Sequence, residues 1–369
     1  MAAEARIKRI GVLTGGGDCP GLNAVIRAVV KTGLLEYGFE ACGILDGFEG
    51  LVKDRMVKLD YQDVSGILTR GGTILGTSNT AHPFQYVEHD GDPADAQDLS
   101  DQCVENFERA GLDVLFCIGG DGSLSIAHQL ARKGLPIVGV PKTIDNDIYG
   151  TDVTFGFDTA VQIVTEALDR LHTTAMSHHR AMVIETMGRY AGWLALVGGI
   201  AGGGDVILIP EIPYTMENVC KVVEERSHLG KRFSIIVVSE GVKLPDGDFV
   251  VRRRVAEGYE KMRLGGIGIW LAAEIDDRTP VVSRAVVLGH MQRGGTPTAY
   301  DRVLATRFGY EAVVQAVAGN FDTMVGLQGT EIVTVPLADV ADRQRLVQPD
   351  CGLVRAARSV GTSFGDGAG

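Results

Sequence analysis

The chain predicts an α/β fold of two doubly wound, Rossmann-like domains with a cleft between them, and three features lead there. Short, almost wholly apolar runs recur along its 369 residues, as expected of parallel strands covered on both faces. Each run ends in a polar or glycine-rich turn, and an amphipathic stretch follows. Most of the 49 glycines cluster at those run ends, which suits tight strand-to-helix turns better than disorder. Alternation of this kind marks doubly wound architecture, and the length agrees with about two domains.

The predicted strands are Ile10–Leu13, Val114–Ile118, Ile137–Val140, Ala181–Ile184, Val206–Ile209, Ile235–Val238 and Ala285–Leu288. After the first, Leu22, Val25, Ile26, Val29 and Val30 fall at helical spacing, with Gly33 or Gly38 able to stop the helix. The turns are Thr14-Gly15-Gly16-Gly17-Asp18, Gly119–Ser123, Lys142–Asp147, Glu185–Arg189, Glu240-Gly241 and His290–Gly295. Ligands of open parallel sheets bind outside the carboxyl ends of strands, so these turns are expected to line one cleft. The stretch Asp90–Asp101, rich in Asp and carrying Pro93, reads as a polar surface loop. The glycine-rich tail Thr362–Gly369 is expected to be mobile. Trp193, Trp270, His178 and His179 read as structural.

Composition excludes several classes. A net charge of −12 argues against a general polyanion binder, so no nucleic-acid partner is expected. The six cysteines include no C-x-x-C pair, which disfavours zinc and dithiol redox sites. Met1–Arg9 lacks the apolar segment of a secretory signal, and no run is long enough to span a bilayer. A soluble cytoplasmic protein without a membrane partner is expected. G-x-x-x-x-G-K-[ST], H-R-D and D-F-G are absent, and neither glycine-rich turn reads G-x-G-x-x-G, which disfavours a Rossmann oxidoreductase.

What remains points to phosphoryl transfer. Gly119-Gly120-Asp121-Gly122-Ser123 joins a strand to a helix start, where backbone N–H groups and the helix end favour phosphate. Asp121 inside that turn is placed to hold Mg²⁺ against the same phosphates. The Gly15–Asp18 turn adds a second cradle. Asp145 and Asp147 lie just past the strand Ile137–Val140, beside Lys142 and Thr143. A carboxylate there can take a proton from an attacking hydroxyl, the role expected of Asp145, while Asp147 orients the metal or its neighbour. Arg180, Arg189, Arg284, His290 and Arg293 recur at strand starts or ends of an acidic chain, and arginine forks suit a phosphate monoester.

Taken together, Gly16-Gly17-Asp18-x-Pro20-Gly21-x-Asn23, the Gly119–Ser123 turn, Thr143-Ile144-Asp145-Asn146-Asp147, Met187-Gly188-Arg189 and Leu288-Gly289-His290-Met291-Gln292-Arg293-Gly294-Gly295 resemble the 6-phosphofructokinases of bacterial type. The similarity runs from about Ile7 to about Gly319. It implies the glycolytic transfer of a phosphoryl group to the 1-hydroxyl of fructose 6-phosphate. It also implies a donor domain of residues 1–156 and about 292–343, and a sugar-phosphate domain of 157–291 and about 344–369. Asp145 would be the base and Asp121 the Mg²⁺ ligand. Gly17, Thr143 and Arg189 would stabilise the moving phosphoryl group, and Gly119, Gly120, Gly122, Ser123 and Lys142 would face the donor. Met187, Gly188, Glu240, His290 and Arg293 would surround the sugar phosphate. Arg180 and Arg284 would reach a neighbour's site in a homotetramer with shared active sites.

Two donor signals differ. Members using ATP carry a glycine like Gly122, whereas those using pyrophosphate usually place Asp there and a lysine like Lys142. An acid excludes a nucleotide more firmly than a lysine does, so ATP is favoured and pyrophosphate is the alternative. Asn79 stands where ATP-using members place a bridging arginine, a charge Lys142 could supply; Phe48 could offer a face to adenine. Arg27, Lys31, Arg55 and Lys231 match an effector site, with His172 in place of an expected arginine. A non-catalytic sugar-phosphate sensor is disfavoured by the retention of Asp121, Asp145 and Asp147.

Overall fold

The computed structural model describes residues 7–88, 92–230, 233–254 and 262–368. The apolar runs become strands: β1 (Arg9–Thr14), β2 (Glu40–Ile44), β3 (Met56–Leu59), β4 (Val114–Gly119), β5 (Ile137–Thr143), β6 (Phe155–Gly156) and β7 (Ala181–Thr186). Beyond these come β8 (Val206–Leu208), β9 (Ser234–Ser239), β10 (Val251–Arg254), β11 (Met262–Leu264), β12 (Ser283–Val287), β13 (Thr323–Gln328) and β14 (Glu331–Pro336). The helices are α1 (Leu22–Thr32), α2 (Phe48–Val52), α3 (Ser100–Arg109), α4 (Asp121–Ala131), α5 (Phe157–His178) and α6 (Trp193–Ala201). They continue with α7 (Met216–His228), α8 (Ile267–Arg278), α9 (Ala299–Val317), α10 (Leu337–Val340) and α11 (Gly352–Ser359).

The first sheet runs β14-β13-β5-β4-β1-β2-β3, with β6 beside β5. Its interior pairs are parallel, and β3 and β14 run antiparallel at its two edges. The second sheet, β12-β7-β9-β8, is parallel throughout. In the first sheet the chain starts at β1 and works outward on both sides. In the second it starts at β7, passes to the edge strand β8, returns to β9 between them and ends with β12 on the other side of β7. The order therefore reverses beside β1 in one sheet and β7 in the other, which are the crevices where ligands enter such folds.

The strands are covered on both faces: β4, β7 and β9 are buried along their whole lengths. Leu22, Val25, Ile26, Val29 and Val30 are buried on α1, as their spacing predicts. That helix passes Gly33 in a π turn and ends at Gly38, whose φ of 69° is the left-handed stop. Helix α9 lies directly on α1 because Gly309 has no side chain; a Cβ there would sit 2.6 Å from the Ala28 Cβ. All six cysteines are free, and burial pushes the thiols of Cys19, Cys103 and Cys117 up to about 12. No helix among the described residues is long and apolar enough to cross a membrane.

Two expectations need correction. The tail is not loose: Ser363 pairs with Val206, accepting from the Ile207 N–H at 2.9 Å and donating its own to the Asp205 carbonyl at 3.0 Å. Phe364 is wholly buried and Asp366 is paired with Arg358 at 2.6 Å, so one apolar anchor and one ion pair outweigh the glycines around them. The polar loop is also shorter than expected. Asp90 lies outside the described residues, Asp92 caps a turn at Pro93–Asp95, and Ser100 already opens α3.

Candidate active site

The two glycine turns form one unit. Thr14 ends β1 with its Oγ1 donating to the Gly76 carbonyl at 2.7 Å, and the Gly15 N–H donates to the Ile118 carbonyl at 2.9 Å. The Gly16 N–H donates to the Ser78 carbonyl at 3.1 Å, and Thr77 Oγ1 donates back to the Gly16 carbonyl at 2.5 Å. The loop after Thr73 thus clamps the first turn from outside. Ser123 wedges the second turn against it: a Cβ on Gly15 would lie 2.6 Å from Ser123 Oγ, and one on Gly119 would overlap Ser123 Cβ. Gly120 caps α4 and Asp121 is that helix's first residue, so its carboxylate stands where free N–H groups converge.

Lys142 on β5 is buried, at 3% exposure, and its Nζ donates to the Gly17 carbonyl. Burial lowers its pKa. The lysine therefore ties β5 to the first turn. Arg293 reaches the same turn from the far side, its Nη1 donating to the Asp18 carbonyl at 3.2 Å. A Cβ on Gly17 would stand 2.7 Å from that guanidinium nitrogen, so a side chain there would push the arginine's tip aside. Arg293, expected beside a sugar phosphate, thus packs on the Gly17-Asp18 turn.

The acidic loop follows at once. Thr143 Oγ1 accepts from the Asp145 N–H at 3.0 Å, and the Thr143 carbonyl accepts from Thr154 Oγ1 at 2.8 Å. Asn146 adopts left-handed backbone, φ 54°, held by Oδ1 accepting from the Thr154 N–H at 3.0 Å. Asp147 is 9% exposed, and its carboxyl is pushed up to about 8 by burial first and then by Asp145 and Asp121. The three acids share one electrostatic field, partly offset by Lys142. Among the described residues no three His, Cys, Asp or Glu side chains cage a metal ion by themselves. An acid-rich edge beside an N–H-rich turn instead fits a cation held by one carboxylate together with ligand phosphates and water, as Mg²⁺ prefers.

The second sheet supplies the facing edge. Gly188, at φ 121°, follows β7; its carbonyl accepts from Ser239 Oγ at 2.5 Å and from the Gly241 N–H at 3.1 Å. The Glu240 N–H donates to the Thr186 carbonyl at 2.9 Å, so Met187-Gly188-Arg189 and Glu240 are laced together. Arg189 stacks on Tyr190 at 5.1 Å. Gln292, wholly buried, accepts from the Met187 N–H at 3.3 Å and fixes the turn that carries exposed His290 and half-buried Arg293. Glu185, earlier in the same motif, receives the Gly266 and Gly268 N–H groups at the start of α8, a structural use.

Arg180 and Arg284 do not join this edge. Arg180 precedes β7 and Arg284 is the second residue of β12, so both lie at the amino ends of the second sheet. Exposed Arg284 donates to the Ser283 carbonyl at 2.6 Å. Phe48 also departs from expectation: it is 3% exposed, packed under Gly15, and has no free face for an adenine. Asn79 is exposed beside the Ser78 turn. Of the effector set, Lys31 lies over the Tyr61 ring at 3.7 Å, Arg55 pairs with Asp46 at 3.0 Å, and His172 Nε2 lies 2.7 Å from the Gly202 carbonyl. Lys231 falls outside the described residues.

Residues that carry no motif also reach the site. Gln344 Nε2 lies 3.4 Å from Asp121 Oδ2, and Arg345 donates to the Asn146 carbonyl at 3.2 Å. Only their polarity within an otherwise unremarkable stretch set them apart.

A paired-cradle, acid-lined crevice at the switch point of a parallel sheet defines a phosphotransferase-type α/β protein. The phosphofructokinase family profile matches residues 9–316. The ATP-dependent 6-phosphofructokinase 2 of Clostridium perfringens is 51% identical, covering 98% of this chain and 99% of that protein. The pyrophosphate–fructose 6-phosphate 1-phosphotransferase of Amycolatopsis methanolica is 53% identical over 93% of this chain and 97% of its own length. A crystal structure of pyrophosphate-dependent phosphofructokinase from Marinobacter aquaeolei superposes with a TM-score of 0.78 at 21% identity, over 97% of this chain and 88% of that one. The chain belongs to the phosphofructokinase family and has its two-domain fold.

Proposed function

We propose that this chain is a cytoplasmic, Mg²⁺-requiring 6-phosphofructokinase that uses ATP to convert fructose 6-phosphate to fructose 1,6-bisphosphate. The observation that carries it is the convergence of Asp121, Asp145 and Asp147 in one field beside the Ser123-wedged pair of glycine turns. Asp145 accepts the proton of the sugar's 1-hydroxyl as that oxygen attacks the terminal phosphorus and the bond to the departing nucleotide breaks. Backbone N–H groups of the Gly17 and Gly119–Ser123 turns, with Thr143 and Arg189, stabilise the transferring group. Asp121 would hold Mg²⁺, which supplies charge neutralisation on the donor phosphates. Met187, Gly188, Glu240 and His290 bind the sugar phosphate from the second sheet. Arg293 reaches it from its perch on the first turn.

ATP is favoured because Gly122, half-buried in the first turn of α4, has no side chain to crowd a nucleotide. Pyrophosphate is the second reading, supported by Lys142 sitting against the Gly17 carbonyl, where it adds positive charge behind a small donor. Arg180 and Arg284 serve the site of a neighbouring subunit in a homotetramer. A coupled assay with fructose 6-phosphate and Mg²⁺, run side by side with ATP and with pyrophosphate, tests the reading. Turnover with ATP exceeding that with pyrophosphate is expected, and the reverse order overturns the donor assignment.

A further inference from the structure

A strap formed by residues 342–347 crosses from the first sheet to the second and grips the acidic loop on the way. Ile148 and Gln344 pair as an antiparallel bridge. The Arg345 N–H donates to the Asp147 carbonyl at 2.7 Å, and its Nη1 donates to the Asn146 carbonyl at 3.2 Å. The guanidinium lies 4.1 Å from the ring centroid of Trp193, at the start of α6, and Trp193 Nε1 donates to the Arg345 carbonyl at 2.8 Å. Two residues on, the Val347 N–H donates to Glu211 at 2.9 Å, and the same carboxylate accepts from the Gly192 N–H at 3.0 Å.

These contacts meet where the backbone most needs holding. Asn146 is left-handed, a conformation that a non-glycine residue keeps where local polar contacts hold it. Thr154 holds that residue by its side chain; Arg345 holds the carbonyls of Asn146 and Asp147. Packing alone does not explain an arginine here. An apolar side chain would cover Trp193 without the cost of desolvating a guanidinium; what the guanidinium adds is a donor aimed at the loop. Gln344, one residue earlier, addresses Asp121 across the same gap.

We propose that Arg345 is a positioning residue of the phosphoryl transfer: clamped on Trp193, it sets the Asn146 and Asp147 carbonyls and thereby aims Asp145 across the cleft. The inference rests on the functional reading above and extends it to a segment carrying no family motif. It also ties the placement of the proton acceptor to α6 of the second sheet, so that the loop cannot drift independently of the half that binds the sugar.

The test uses the full chain with Trp270→Phe, leaving Trp193 as its one indole, and adds Arg345→Met or Arg345→Lys. Arg345→Met is expected to lose about 100-fold in kcat, the scale of a small misplacement of reacting groups. Its KM for fructose 6-phosphate should stay within about threefold, and Trp193 emission should shift. Arg345→Lys keeps charge and stacking but not the fixed fork, and is expected to recover about tenfold of that loss. Should Arg345→Met not fold, Arg345→Lys carries the test alone, at about tenfold below wild type in kcat. Variants within threefold of wild-type kcat overturn the inference alone. So do parallel losses in kcat, KM and melting temperature that lysine does not relieve. A wild-type chain with no turnover on either donor overturns the functional reading and this inference together.

Discussion

The two sheets keep their charged residues at different ends of their strands. On the first, the Gly15–Asp18 turn, Asp121 and the Asp145–Asp147 loop all follow strand carboxyl ends, where the switch-point rule places a ligand. On the second, Met187–Arg189 and Glu240 obey that rule, whereas Arg180 and Arg284 stand at the opposite, amino edge. The glycine turns and acids therefore gather at one edge, while the basic residues are split between two. Two arginines turned away from their own crevice make sense if they face another copy's.

The sharpest way to break this comparison is at the acidic edge. Asp145→Ser is expected to lower kcat about 10³-fold, the scale of a lost general base, with fructose 6-phosphate affinity nearly unchanged. Normal turnover would remove Asp145 from its role. Next is the divided basic half. Arg180→Ala should raise KM for the sugar phosphate about 10–100-fold, the cost of losing a charged phosphate contact. At fructose 6-phosphate well below that raised KM, mixing the variant with Asp145→Ser subunits should then return about a quarter of wild-type activity, since random pairing rebuilds one intact site in half the interfaces. No recovery, despite hybrids seen by native mass spectrometry, would confine each site to one chain.

A smaller effect is expected at the donor turn. Gly122→Asp should cut kcat/KM for ATP at least about tenfold while sparing pyrophosphate, because a carboxylate would meet the nucleotide's inner phosphate. Equal ATP kinetics would discredit the space argument. An effect on stability alone, not on turnover, separates the functional acids from a structural one. Asp301, wholly buried on α9, accepts from the Thr159 N–H at 2.8 Å, and burial pushes its carboxyl up to about 6. A raised carboxyl binds its proton more tightly when folded, so the stability it contributes is full below about pH 4 and is lost as pH rises through about 6. Asp301→Asn removes that loss. In thermal melts it should be more stable than wild type at pH 8, by on the order of 2 kcal/mol, with the gap closing near pH 4. A constant gap across that range would exclude the titration.

Local chemistry explains why so much of the acidic edge could be read from the chain. The turn at Gly119–Ser123 and the loop at Thr143–Asp147 declare themselves through glycine, helix-start and strand-end signals confined to a few neighbouring residues. Arg345 and Gln344 announce nothing, because each acts on a group of the acidic edge that lies 199 or 223 residues away. Phe48 misled for the same reason. An aromatic next to a glycine turn looks available until the packing of α2 under Gly15 is known. In the tail, seven of its residues are small or acidic, and the one that decides its placement is Phe364.

Ser363 also closes an edge. β8 is the outermost strand of the second sheet, and its free row of N–H and C=O groups would be a template for any extended peptide in reach. By laying Ser363 against Val206, the chain occupies part of that template with itself, and buried Phe364 holds it there. The segment around Ser363 thus guards that edge against unwanted strand pairing, a service that owes nothing to catalysis.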